Sequence, residues 1–186
     1  MKNALQNIKL SLEEMGFQVE LTSIAGGLPV KQLTVTLEEL GGLKLVIFFL
    51  SDLLKAARGY EEQASALADG ETDFLQLFIR FPFELQESAC PDLARLILMI
   101  NWSTPVGSFG LNEAQKNLYY RQVFECLGAP PDPGLVAETA GAMQFYAALR
   151  FDLLKTVAVG RQTLSQVLSE LESEGRREEA FPGYDS

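Results

Sequence analysis

Residues 30–50 read VKQLTVTLEELGGLKLVIFFL, and this stretch carries the strongest structural signal in the chain. Over residues 30–38, apolar and polar residues alternate, which is typical of a half-buried β-strand. Residues 43–50 are almost continuously apolar and predict a more deeply buried strand, since the run is far shorter than the ~20 residues that span a bilayer. Gly41-Gly42 lies between them, where a tight turn needs positive φ. The stretch therefore predicts two antiparallel strands joined by a turn.

Neighbouring segments extend this hairpin into a sheet with helices packed on it. Alternating apolar residues predict further strands, and apolar residues at spacings of three and four predict helices. The predicted strands cover 17–24, 30–38, 43–50 and 73–85, followed by a second hairpin that is entered from a loop at 102–110 and returns over 118–126. The predicted helices cover 3–15, a segment begun by Pro91, then 132–158 and 164–171.

Proline and glycine mark the predicted ends of these elements. Asp132-Pro133 combines an acceptor side chain at the cap with proline at the first helical position, so it predicts a helix start. Gly160 predicts the end of the same helix. Residues 26–29 predict a turn. Pro82 places its part of the chain at a sheet edge, a bulge or a strand end.

The length of 186 residues favours a single domain. We predict one α+β domain over residues 1–174, with an antiparallel sheet made of a meander and a second hairpin. Helices pack on this sheet in the order α-β(3-4)-α-β(2)-α-α. Residues 52–72 interrupt the alternation and predict a short helix or an ordered insertion. Residues 175–186 are polar and charged, and predict a flexible C-terminal tail.

Composition excludes several classes of function. The chain has 15 Lys and Arg, 25 Asp and Glu and no histidine, which gives a formal net charge of −10. Catalysis by Ser-His-Asp or Cys-His and metal sites built on histidine are therefore impossible. The charge argues against nucleic acid or an anionic membrane as partner, because both attract clustered basic residues. Cys90 and Cys126 predict free, buried thiols, as in a cytoplasmic protein.

Motifs that carry catalysis or bind cofactors are missing from the sequence. Adjacent carboxylates such as Glu13-Glu14 do not face one site on a helix or a strand. The glycine pairs lack the spacing of a phosphate-binding loop. Ser108 lies between glycines, but no histidine exists to activate it. We therefore expect a protein that is not an enzyme and that uses no cofactor or metal.

The helix predicted at 132–158 carries two adjacent apolar stripes, which is more apolar surface than one contact requires. The larger side chains of these stripes are Met143, Tyr146 and Phe151. They either pack in the core against the sheet or line a groove or a dimer seam. Both interpretations remain open at this point.

A second group of apolar residues lies in the predicted loop at 102–110. Trp102, Pro105 and Phe109 either cover the end of the sheet or anchor a partner, because exposed aromatic residues are frequent anchors at interfaces.

The segment from Asn101 to Leu111, NWSTPVGSFGL, resembles the pattern of the YbjN-like family of bacterial proteins. In that pattern an asparagine ends a helix, a proline follows, and glycine–x–phenylalanine opens a strand. The order of elements over 3–158 is similar to that of the secretion-chaperone-like α+β fold, which includes type III secretion chaperones. The extra elements at 52–85 and 164–171 depart from it. The resemblance implies a non-enzymatic, often dimeric module whose relatives hold client segments in apolar grooves.

Three hypotheses of function follow. The favoured one is a cytoplasmic, homodimeric, chaperone-like module that binds a polypeptide through apolar helix and sheet surface. The second is a domain that binds a small anionic ligand with Arg80, Arg121 or Arg150, because guanidinium groups pair with carboxylate or phosphate. The third is a structural subunit of a larger complex, anchored by Trp102 and Phe109.

Overall fold

A computed structural model describes residues 3–23, 30–56 and 72–184 of the chain. Within these ranges the fold is α+β, with a six-stranded antiparallel sheet and six α-helices. The strands are β1 Gln18–Ser23, β2 Lys31–Leu37, β3 Leu43–Phe49, β4 Thr72–Arg80, β5 Ser108–Asn112 and β6 Asn117–Leu127. The helices are α1 Ala4–Glu14, α2 Leu50–Ala56, α3 Cys90–Trp102, α4 Pro133–Ala158, α5 Leu164–Ser173 and α6 Arg177–Ala180.

The strand order is β1-β2-β3-β4-β6-β5, so the first four strands form a meander and the last two a hairpin. The predicted α+β class, the meander and the second hairpin are thus confirmed. Leu45 in β3 lies opposite Val35 in β2 and Ile79 in β4, and all three side chains are fully buried. This register places one row of apolar residues across three strands on the core face, as the alternation in the sequence requires.

The described residues group into two compact units. Unit 1 comprises Met1–Ile79 and Arg121–Gln144, and unit 2 comprises Arg80–Tyr120 and Phe145–Ser186. The chain passes from one unit to the other inside secondary structure, for example within α4. The single domain expected over residues 1–174 stays a prediction.

Unit 1 is built on β1 to β3, with α1 packed against β1 and β2. Ile8 and Leu12 of α1 are fully buried. A polar link fixes the start of α2: the Ser51 hydroxyl donates to Asp73 Oδ2 at 2.6 Å, and the Ser51 N–H donates to Oδ1 at 3.2 Å. Since both residues are buried, this link replaces water for a carboxylate in the core.

Unit 2 has an aromatic core. Phe109 stacks on Tyr120 with ring centroids 4.1 Å apart, and Phe81 lies within about 6 Å of Phe83, Phe109 and Phe151. The Tyr120 hydroxyl donates to the carbonyl of Val106, and burial raises the pKa of that hydroxyl. The loop and the hairpin of this unit are therefore held by ring packing and by one buried hydroxyl.

The predicted element ends at proline and glycine are confirmed where the structure describes them. Asp132 Oδ1 accepts the Leu135 N–H at 3.0 Å, and α4 ends before Gly160, whose φ is 68°. Pro82 follows the end of β4. The turn predicted at 26–29 lies outside the described residues. Of the segment 52–72, the structure describes the end of α2 and the start of β4, and residues 57–71 lie outside it.

The C-terminal segment, predicted to be flexible over 175–186, is described through Tyr184. Within it α6 forms a short helix, and Phe181 is buried. The Trp102 indole N–H donates to the carbonyl of Gly183 at 3.0 Å. These contacts connect the C-terminal segment to the rest of unit 2. The flexibility expected of the segment stays a prediction.

Among the helices that the structure describes, none is both long enough and apolar enough to cross a membrane.

Candidate functional site

The three residues predicted in the loop at 102–110 have different surroundings. Trp102 ends α3 instead of lying in the loop, and 67% of its surface is exposed even though its indole N–H is bonded. Pro105 is also exposed. Phe109 is buried in the ring stack with Tyr120, because β5 carries its side chain into the core of unit 2. Trp102 and Pro105 are therefore exposed on the surface, whereas Phe109 positions the hairpin.

The three residues predicted on the long helix also differ. Met143 is fully buried, and Tyr146 is half-buried with its ring against Phe145. Phe151 is half-buried and packs edge-on against Phe83, with a centroid distance of 5.0 Å. The exposed apolar surface of α4 comes from other positions.

Two pairs of large apolar side chains in unit 2 are exposed, and we call these four residues the apolar patch. Leu98 and Trp102 lie one turn apart on α3 and are 68% and 67% exposed. Phe145 and Leu149 lie one turn apart on α4 and are 60% and 52% exposed. The end of α3 meets α4 where Arg150 Nη2 approaches Ser103 Oγ at 3.5 Å. Ser103 follows Trp102 in the chain, and Arg150 follows Leu149.

Of the four residues of the patch, Trp102 was predicted as a candidate, and Leu149 lies on one of the two apolar stripes predicted for α4. Leu98 and Phe145 were not among the predicted residues. The signal was present, because each of these residues has another large apolar residue four positions further along the helix. A pair of large apolar residues four positions apart, lying off the main apolar stripe of a helix, is the pattern that predicts such a surface.

A cavity of about 490 Å³ lies within unit 2, between the second half of α4, α5 and the C-terminal segment. This volume falls in the range of small-molecule sites. The wall contains four carboxylate side chains and two guanidinium groups. Its apolar part is formed by Leu149, Leu153, Val167, Leu171 and Ala180.

Three of the charged groups in the cavity wall make polar contacts with one another or with a neighbouring amide of the wall. Arg176 pairs with Glu174 at 3.1 Å, and the Gln162 amide donates to Glu170 at 2.6 Å. Arg150 differs: it is only 5% exposed, and its Nε has no hydrogen-bond partner among the described residues. Burial lowers the pKa of Arg150. The guanidinium is thus a buried positive charge without a carboxylate partner in the part of the chain that the structure describes.

The other two arginines of the anionic-ligand hypothesis do not join it. Arg80 and Arg121 are exposed, and neither lines the cavity. Of the three, Arg150 alone combines burial with a position in the cavity wall.

The two cysteines are free and differ in burial. Cys126 is buried, and burial raises the pKa of its thiol, with a smaller contribution from the Asp73 carboxylate. Cys90 is half-buried. The described residues contain no group of three or more Cys, Asp or Glu side chains suited to a metal ion.

Comparison of the chain with models of protein families and with curated proteins gives no match. The resemblance of residues 101–111 to the YbjN-like pattern therefore stays a prediction.

Proposed function

We propose that this protein is a non-enzymatic interaction module that binds another polypeptide through the apolar patch. The observation that carries the proposal is the exposure of four large apolar side chains, each by half or more, on two helices of one unit. Isolated exposed apolar residues are common on soluble proteins, but pairs at helical spacing form a continuous stripe. Such stripes are typical of surfaces that receive a helix or an extended segment.

The composition of the patch supports an interface. Tryptophan and phenylalanine are enriched among the residues that dominate binding energy, and both occur here. Trp102 is fixed by its hydrogen bond to Gly183, so little side-chain freedom is lost when a partner covers the ring.

Charge selects the kind of partner. The chain has a net charge of −10, and exposed carboxylates such as Asp152 on α4 and Glu179 on α6 belong to the same unit as the patch. A segment that combines apolar with basic residues would be attracted by these charges, whereas an acidic segment would be repelled. The proposed partner is therefore a basic amphipathic polypeptide.

The finer features of the proposal come from the sequence. A secretion-chaperone-like arrangement, membership of the YbjN-like family and a cytoplasmic location are consistent with the order of elements, and remain parts of this proposal. A client-binding role would use the same patch.

A photoreactive phenylalanine analogue at position 145, expressed in the protein's native cells, tests the proposal. Phe145 lies in the patch but not in the cavity wall. The same analogue at Leu127, which is 70% exposed at the end of β6 in unit 1, is the matched control. We expect light-dependent adducts with a polypeptide from position 145 and none of that mass from position 127.

The partner identified from the adduct is then purified and its affinity measured. Phe145→Ser and Leu98→Ser should each weaken binding about tenfold, as expected for anchors at an interface, while Leu127→Ser should leave it unchanged. Equal adducts from both positions, or a partner that binds Phe145→Ser as tightly as the wild type, would contradict the proposal.

A further inference from the structure

We propose that the cavity of unit 2 is a binding site for a small apolar monocarboxylate, whose carboxylate pairs with the buried guanidinium of Arg150. The ligand chemistry is shared by short fatty acids and by apolar amino acids. This site shares Leu149 with the apolar patch but takes a different class of ligand, and so adds a second binding activity to the protein.

The first argument is the state of Arg150. A charged group that is nine-tenths or more buried needs an opposite charge or several hydrogen bonds to compensate for lost hydration. Among the described residues, Arg150 has one long contact to Ser103 Oγ and an unpartnered Nε. A carboxylate accepts two parallel N–H bonds from a guanidinium, so a bound monocarboxylate would supply what the chain does not.

The second argument is the rest of the wall, which limits the charge of the ligand. Four carboxylates and two guanidinium groups line the cavity, and Arg176 is already paired with Glu174. A phosphate ester or a dicarboxylate would bring extra negative charge against these acids. Because Arg150 carries one positive charge, it can compensate a ligand with one negative charge.

The third argument is the apolar part of the wall, which selects the body of the ligand. Leu153 and Val167 face the same cavity from α4 and α5, with Leu171 one turn beyond Val167. Burying an apolar chain against such side chains contributes roughly 25 cal/mol for each Å² removed from water. The cavity therefore fits an aliphatic chain or an aliphatic amino acid.

Calorimetric titration of the full chain with octanoate, leucine and 1-octanol tests the proposal. We expect octanoate or leucine to bind and 1-octanol to bind at least about tenfold more weakly, because it has the same chain as octanoate but no charge to pair with Arg150. Tighter binding of octanoate identifies fatty acids as the source, and tighter binding of leucine identifies amino acids.

Arg150→Met removes the charge and keeps much of the side-chain length. It should weaken binding of the carboxylate about tenfold or more, and it should fold, since replacing an unpaired buried charge by an apolar side chain relieves a desolvation cost. Arg95→Met is the matched control, because it removes an exposed guanidinium of the same unit that does not line the cavity. This control should bind as the wild type does.

A measurement on the wild type stands beside the variants if Arg150→Met fails to fold. The Nε–H resonance of Arg150, assigned through its backbone, should shift when octanoate or leucine is added and should shift much less with 1-octanol. The proposal is overturned if neither carboxylate binds, if 1-octanol binds as tightly as octanoate, or if Arg150→Met binds like the wild type.

Discussion

Asp73 is the buried carboxylate that ties β4 to α2 in unit 1. It accepts the Ser51 hydroxyl at 2.6 Å, the Ser51 N–H at 3.2 Å and the Phe74 N–H at 2.7 Å. We expect Asp73→Ala to lower the free energy of unfolding by about 2–3 kcal/mol, because buried donors lose a charged acceptor. Urea denaturation of Asp73→Ala, Ser51→Ala and the double variant measures the coupling. If the two single effects add within about 0.3 kcal/mol, the side-chain pair does not act as a unit.

The two thiols should differ in reactivity by their burial. Cys126 is 3% exposed, and its raised pKa keeps it as the unreactive thiol at neutral pH, whereas Cys90 is half-buried. A disulfide reagent added to the native protein should therefore modify Cys90 first, and Cys126 only after unfolding in urea. Because the pKa of Cys126 is raised, its modification in the native protein should become faster as the pH is raised. Cys90→Ala should abolish the fast modification seen in the native protein. If fast modification survives in this variant, the reactive thiol is not Cys90.

Two glycines, one inside α4 and one just beyond its end, should respond to alanine in opposite directions. Gly141 lies in the helix interior, and a Cβ there meets only Met15 Cε at 3.6 Å, an ordinary contact. Gly141→Ala should stabilise the protein by about 0.5–1 kcal/mol, because alanine loses less entropy in a helix. Gly160, just beyond the helix, has a φ of 68°, so Gly160→Ala should destabilise by about 1 kcal/mol. Thermal unfolding measures both changes.

A third glycine separates backbone strain from crowding at the end of α4. A Cβ at Gly160 would also meet the amide of Gln86, which must turn away, whereas Gly175 has nearly the same φ and open space around it. Equal losses for Gly160→Ala and Gly175→Ala assign the effect to backbone strain alone. A stabilising effect at Gly160 would contradict the proposed role of that glycine as a helix end.

Local chemistry explains why some elements could be predicted from the sequence and others could not. The alternation in 30–38 and the cap at Asp132 act between neighbours in the chain, so their outcome is fixed locally. The two apolar stripes of α4 are different, because periodicity shows that a face is apolar but not which tertiary neighbour covers it. Met143 was therefore a candidate for an interface although it is fully buried, and the exposed Phe145 was missed. The cavity at Arg150 depends on how three consecutive elements, α4, α5 and the C-terminal segment, pack on one another, which periodicity does not show.

The whole molecule combines a strong negative charge with exposed apolar surface. The dependence of association on salt concentration distinguishes the contributions of charge and apolar contact. The homodimer expected from the sequence would join two copies that each carry a charge of −10. Such copies repel one another, and added salt screens this repulsion, since the Debye length falls from about 30 Å at 0.01 M to about 3 Å at 1 M. A dimer held by the apolar patch should therefore tighten as salt is added. Binding of a basic partner should weaken over the same range.

Light scattering coupled to gel filtration measures the first effect, with a dimer expected at twice the 20.5 kDa of the chain. Phe145→Glu should give folded monomers at every salt concentration, because it places a charge in the patch of each copy. Leu127→Glu adds the same charge outside the patch and should leave the high-salt dimer intact. A wild type that is monomeric throughout contradicts the homodimer. A dimer that dissociates when salt is added contradicts the apolar seam, because attraction between opposite charges would then hold the copies together.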